Sequence, residues 1–118
     1  MVLHHCNGIV MIQQLMKMLE DGRDSPLLRF SIAKTLAATG QFEDAAHHLH
    51  EAIRQDPDYS AVWAELGECR AKLGDDDGAI AAWVEGISAA VRRGDIQAKR
   101  QMEVRLRRLR SRGLKGSG

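Results

Sequence analysis

The sequence predicts an all-α fold in which a helix-turn-helix unit is repeated and stacked. Three observations predict it. The chain matches itself at an offset of 34 residues: Ile32-Ala33 falls on Leu66-Gly67, Ala45 on Ala79, Leu49 on Trp83 and Ile53 on Ile87, and Ala37/Ala71 and Glu51/Glu85 are identical pairs. Each copy is split near its middle by a glycine, Gly40 or Gly74, between two segments of helical periodicity. Small residues (Gly67, Ala45, Ala79) stand where two paired helices would approach each other. A unit this short cannot bury its apolar face alone, so recurrence is the condition for its stability.

Taken in order, residues 1–8, MVLHHCNG, show no periodicity and are expected to be flexible. The amphipathic pattern begins near Met11, which makes Met11 as well as Met1 a candidate natural start. A helix is expected from Ile9 to Glu20, with Ile9, Met11, Ile12, Leu15, Met16, Met18 and Leu19 filling about half the helical wheel. Gly22 supplies its stop. So wide an apolar arc must be covered. Packing against the first repeat is the simplest cover; a homodimer, or occupation of the protein's own groove, would use the adaptable methionines instead. Ser25-Pro26 opens the next helix, with Ser as N-cap and Pro at a position whose N–H is not needed. That helix runs to about Thr39, and its partner occupies about 42–54, before Asp56-Pro57-Asp58. Asp58 or Ser60 is expected to cap the following helix, which ends at Gly74. Asp75, Asp76 and Asp77 crowd the start of its partner, where carboxylates meet the positive end of the helix dipole. That partner reaches about Arg92, before Gly94, and Asp95 caps a last helix to about Arg110. On it, Ala98, Met102, Leu106 and Leu109 form one apolar stripe, suited to covering the open end of a stack. The tail, 111–118, is expected to be disordered.

The second unit reads W-x2-L-G followed by A-x3-aromatic: Trp63, Leu66 and Gly67, then Ala79 and Trp83. Trp63 and Leu66 share a face, Gly67 admits the second helix, Ala79 fits the close contact and Trp83 closes the pair. This spacing resembles the tetratricopeptide repeat (TPR) family over 26–59 and 60–93. More loosely, the chain resembles small bacterial proteins with two such repeats between single flanking helices. Departures are visible: Arg29 stands at the position of Trp63, Leu36 and Arg70 at that of the usual Tyr, Gly86 at that of Ala52, and Val91 at that of the closing Pro57. The resemblance implies one TPR domain over 9–110, a right-handed superhelix of two repeats (26–59 and 60–93) flanked by an N-terminal helix (9–20) and a capping helix (95–110).

The resemblance also implies a groove lined by the first helix of each pair: Leu27, Phe30, Lys34, Ala37 and Ala38 from repeat one; Ala61, Ala64, Glu68, Ala71 and Lys72 from repeat two. Alanines leave room for a bound segment, Phe30 offers the largest apolar contact, and Lys34, Glu68 and Lys72 would orient the segment. Relatives that grip C-terminal carboxylates use Lys and Asn where this chain has Phe30 and Glu68, so such a clamp is disfavoured.

The net charge of +1 hides an asymmetry. Residues 1–91 carry 7 basic and 14 acidic side chains; residues 92–118 carry 10 and 2. Arg100, Arg105, Arg107, Arg108 and Arg110 form a basic patch on the last helix. It has no interleaved aromatics to stack on bases, which counts against nucleic acid, though nucleic-acid or acidic-surface binding is the alternative function. His47, His48 and His50 are the one cluster with metal-like chemistry; they lack a converging second group and read as solvated surface histidines. No Ser/His/Asp arrangement, phosphate loop or paired-Cys motif occurs, and Cys6 and Cys69 make no disulfide framework. No segment is apolar enough to span a membrane, and none reads as a secretory signal. The expectation is a cytoplasmic, non-catalytic adaptor without cofactor or metal, binding another protein or peptide.

Overall fold

The computed structural model describes the backbone over residues 2–117 and side chains over 10–113. Met1 and Gly118, which belong to the expected flexible N-terminus and tail, lie outside the described residues. The described residues form six helices: α1 (Val2–Glu20), α2 (Pro26–Ala38), α3 (Phe42–Gln55), α4 (Ser60–Lys72), α5 (Asp76–Arg93) and α6 (Ile96–Ser117). α1 begins ahead of Ile9 and α6 continues past Arg110. Neither extension contains proline, and an isolated glycine such as Gly8 or Gly113 weakens a helix without breaking it.

Local chemistry accounts for most boundaries. Ser25 Oγ accepts from the Leu28 amide at 3.1 Å, with Pro26 opening α2. Asp75 accepts from the Gly78 amide at 2.9 Å, and Asp95 from that of Ala98 at 3.1 Å. The α3–α4 junction departs from expectation. Tyr59 holds the cap position of α4 and makes no side-chain cap bond. Ser60 is already helical and buried, and its hydroxyl donates to Asp95 Oδ2 at 3.0 Å. Asp58 is instead engaged by Arg92, Nε to Oδ1 at 2.7 Å. The two mid-repeat turns use Gly40 and Gly74 at φ 80° and 81°, a conformation costly for any residue with a Cβ.

Each helix packs on its sequence neighbours, and α4 also touches α2 and α6. Among the described residues α3 and α5 do not meet, and α1 packs on α2 alone. The arrangement is therefore a stack with α2, α4 and α6 in an inner layer. Its radius of gyration, 15.3 Å, exceeds the ~13.5 Å expected of a compact chain of this length. Two apolar clusters fill it. One joins α2, α3 and α4 through Ala33, Leu49, Val62 and Leu66; the other joins α5 and α6 through Trp83, Ala90, Met102 and Leu106. Trp63 packs against both.

The expected core of repeat two needs one correction. Leu66, Ala79 and Trp83 are buried, but Trp63 is only half-buried, because its indole N–H reaches out to the Pro57 carbonyl at 2.8 Å. Trp83 sits against Gly67, where any Cβ would collide with the indole, and its N–H donates to the Ala64 carbonyl at 3.1 Å. Gly86 plays the matching part for α6: a Cβ there would meet the Met102 sulfur and Trp63 Cβ. Met102 is thereby fully buried, and α6 closes onto α5.

A candidate binding cleft on the inner face

Where α2 carries Arg29 in place of a tryptophan, the structure supplies a polar substitute. Arg29 donates to both carboxylate oxygens of Asp24 at 2.9 Å, and its Nη1 lies 3.0 Å from His48 Nδ1. Bonds from Arg29 and Gln55 hold the Asp24 carboxyl well below its usual range. His48 is buried rather than solvated, which corrects the surface reading of that histidine. Burial, then the Arg29 charge and His47, lower its affinity for protons. Two residues on, and so facing the other way round the helix, His50 pairs with Arg70 of α4 at 2.6 Å. The histidines therefore join α3 to α2 on one side and to α4 on the other. Among the described residues no group of three or more His, Cys, Asp or Glu could hold a metal.

Two clefts open along the inner layer. The first, about 560 Å³, lies between α2 and α4 and is lined by Lys34, Ala37, Ala38, Phe42, Glu65 and Cys69, together with Glu68, Lys72 and Arg105. The second, about 890 Å³, lies between α4 and α6. It shares Glu68, Lys72 and Arg105 with the first and adds Ala71, Trp83, Arg107, Arg108, Leu109, Ser111 and Arg112. The two clefts therefore adjoin at Glu68, Lys72 and Arg105, where Arg105 and Glu68 are paired, and together they cross three helices.

Of the groove positions implied by resemblance, Lys34, Ala37, Ala38, Glu68, Ala71 and Lys72 line this depression. Leu27, Phe30, Ala61 and Ala64 do not. Leu27 is exposed near the start of α2. Ala61 is half-buried, and Ala64 packs into the second apolar cluster with its carbonyl taken by Trp83. Phe30 is no open contact: it is half-buried in the first cluster, its ring 5.5 Å from Tyr59, with Lys34 Nζ 5.9 Å from its centroid. Of the basic patch, Arg105, Arg107 and Arg108 line the second cleft, whereas Arg100 and Arg110 are exposed and do not. Groove and patch, read from sequence as separate surfaces, meet in one place. Arg112, Glu65 and Phe42 were missed; the alternation of inner and outer helices, which puts α6 in the layer of α2 and α4, was the available signal.

Charge within the depression is partly compensated. Arg105 Nε lies 3.0 Å from Glu68, Lys34 3.7 Å from Glu65, and Arg112 4.0 Å from Asp76. Lys72, Arg107 and Arg108 have no carboxylate partner among the described residues. Cys69, at the floor of the first cleft, is buried, and desolvation with Glu65 and Glu68 pushes its thiol up to about 11. It is an inert packing group at neutral pH.

α1 does not occupy the depression. It runs beside α2, Thr35 Oγ1 reaching Met11 Sδ at 3.8 Å, and leaves Val10, Met11 and Met18 exposed. No helix of the described residues is long and apolar enough to cross a membrane.

A family model described as tetratricopeptide repeat matches residues 30–95. A TPR repeat-containing protein of Pseudomonas aeruginosa is 46% identical over 100 residues, which cover 85% of this chain and 95% of that protein. A solution structure of a Bordetella parapertussis protein superposes with a TM-score of 0.77 at 42% identity, covering 86% of this chain and 88% of that one. The crystal structure of a tetratricopeptide repeat domain protein from Salinibacter ruber is similar in fold, with a TM-score of 0.70 at 22% identity, covering 75% of this chain and 98% of that one.

Proposed function

This chain belongs to the tetratricopeptide repeat family, and on that premise we propose that it is a cytoplasmic adaptor holding a peptide or helix of another protein along its inner face. Domains of this family are generally protein-interaction modules and generally non-catalytic, and the Pseudomonas relative is named only for its repeats. The observation that carries the proposal is that the two clefts adjoin at Glu68, Lys72 and Arg105. Together they cross α2, α4 and α6. The alanines at 37, 38 and 71 leave their walls low, and Lys34, Glu65, Glu68 and Lys72 supply polar groups to fix an orientation.

Site-specific crosslinking tests it. A photoreactive side chain at Ala38 or Ala71 is expected to capture protein partners in living cells, and one at exposed Val84 on α5 is not. Partners captured from Val84 alone would move the working surface to the outer layer.

The exposure of Val10, Met11 and Met18 favours one second reading, self-association through α1. Sedimentation of the wild type and of Met11→Lys decides it, since a monomer in both excludes the dimer.

A further inference from the structure

The second cleft has a chemistry of its own, set by the helix that closes the stack. α6 turns Met102, Leu106 and Leu109 inward, where they are buried against α5. The same helix places Arg105, Arg108 and Arg112 at i, i+3 and i+7, one flank, on the wall that faces α4. Lys72 stands on the opposite wall, at the end of α4. Five cations and one carboxylate, Glu68, therefore surround a single cleft in a chain whose net charge is only +1. Glu68 answers Arg105, and Asp76 at the rim is within 4.0 Å of Arg112. Lys72, Arg107 and Arg108 remain uncompensated among the described residues.

We propose that the cleft between α4 and α6 selects an acidic segment of a partner protein, its Asp or Glu side chains seated among Lys72, Arg105 and Arg108. This rests on the adaptor reading above and names the partner's chemistry. Among the described residues Lys72 and Arg108 lack a counter-charge, so a carboxylate entering beside them gains from each without displacing an ion pair, whereas Arg105 is shared with Glu68. Guanidinium groups add directional bonds, because their planar donor fork matches a carboxylate. Trp83 and Leu109, 3% and 5% exposed, add little to the lining, whose apolar part comes from Ala71 and the aliphatic stems of Lys72 and the arginines. Their charged ends set the sign of the segment that fits. Towards α2 the lining adds Ala37, Ala38 and half-buried Phe42 beside the paired Lys34 and Glu65, which gives apolar residues next to an acidic run a place to rest. The contacts are to side-chain carboxylates, so no free chain terminus is required.

Nucleic acid fits less well. Base stacking needs an exposed ring, and the one aromatic in this cleft, Trp83, is covered. Arg100 and Arg110, which would extend a phosphate track along α6, point away from the cleft lining.

The test is selection from a random displayed peptide library against the full chain, followed by affinity measurement with the best selected peptides. Lys72→Glu/Arg108→Glu is the main variant, and Lys72→Gln/Arg108→Gln guards against a folding artefact. Both positions are exposed and unpaired, so helicity and melting temperature are expected to hold. Selected peptides are expected to be enriched in Asp and Glu, to bind less tightly as salt rises, and to lose about tenfold or more in affinity for the charge-reversed variant, less for the neutral one. Enrichment of peptides without acidic bias, bound equally by all three proteins, would overturn the acidic specificity and leave the adaptor reading standing. No enrichment at all would overturn both. Tighter binding of oligo-dT or oligo-U than of any selected peptide, lost in the charge-reversed variant, would assign the cleft to nucleic acid and overturn the proposal.

Discussion

The Trp83 indole fills the space that a side chain at Gly67 would need, and its N–H is fixed on the Ala64 carbonyl one turn earlier. Helix propensity and packing therefore pull in opposite directions at this position. Gly→Ala in a helix interior ordinarily gains about 1 kcal/mol. Forcing a methyl into a filled core costs about 1–3 kcal/mol.

Gly67→Ala is accordingly expected to destabilise the chain despite the better propensity, lowering the urea midpoint with little change in helical signal. Trp83→Leu in the same chain should reduce the penalty, because the colliding atoms belong to the indole. A double-mutant cycle by chemical denaturation checks it. Additive effects would mean the two residues are not in contact.

Leu66 is 3% exposed at the centre of the first cluster. Leu66→Ala should cost about 2–5 kcal/mol, enough to threaten folding in so small a domain. An unchanged melting curve would contradict the packing described. Ala79→Leu, at a fully buried site, should also destabilise by forcing α4 and α5 apart.

The pH dependence of stability follows from His48. Its folded-state proton affinity is lowered, first by burial and then by Arg29 and His47, with Asp44 and Asp24 acting weakly the other way. His50 is shifted in the same direction by burial, Arg70 and His47. The unfolded chain therefore binds protons that the folded chain refuses. Stability is expected to be complete above the ordinary histidine value of 6.5 and to fall as pH drops below it through the lowered folded value. Denaturation midpoints at about pH 7.5 and about pH 5.5 measure the loss, and His48→Gln should shrink it. A midpoint rising on acidification would mean that His48 is not held neutral beside Arg29.

Cys69 should resist alkylation in the folded chain near neutral pH and react once denaturant is added, because its thiol is buried and its proton is held to about 11. Peptide-level mass spectrometry after iodoacetamide reads this directly. Rapid labelling without denaturant would show that the floor of the first cleft opens.

The stacking plan was legible in the sequence because it is written in residues whose job is local. Glycine at 40 and 74 marks turns, Ser25, Asp75 and Asp95 cap helices, and Ala45, Ala79 and Gly67 mark close approaches. Each rule needs only a few neighbouring positions. Pairings between long side chains are not local, and there the reading failed. Periodicity placed the histidine run on a helix face but did not show that Arg29 would turn towards His48 and bury it. Phe30 looked free because nothing in its own helix reveals Tyr59 across the interface. The basic residues of α6 read from sequence as a patch of their own, separate from the groove. Their flank joins the inner depression only because alternate helices share a layer, a fact of assembly rather than of any one segment.

Asp95 accepts from both the Ala98 amide and the Ser60 hydroxyl, so the start of α6 is anchored on α4. This has a consequence for the order in which a ribosome delivers the chain. Synthesis runs from the N-terminus, and domains generally organise as their parts emerge. The repeats come first and can pair while the last helix is still unmade. One wall of the larger cleft, Arg105 to Arg112, comes afterwards, on a helix whose start docks through Asp95 where Ser60 already waits. A nascent chain halted before that point would carry both repeats and yet present no cleft between α4 and α6. Under the function proposed above, geometry alone would withhold partner capture at that cleft from unfinished copies.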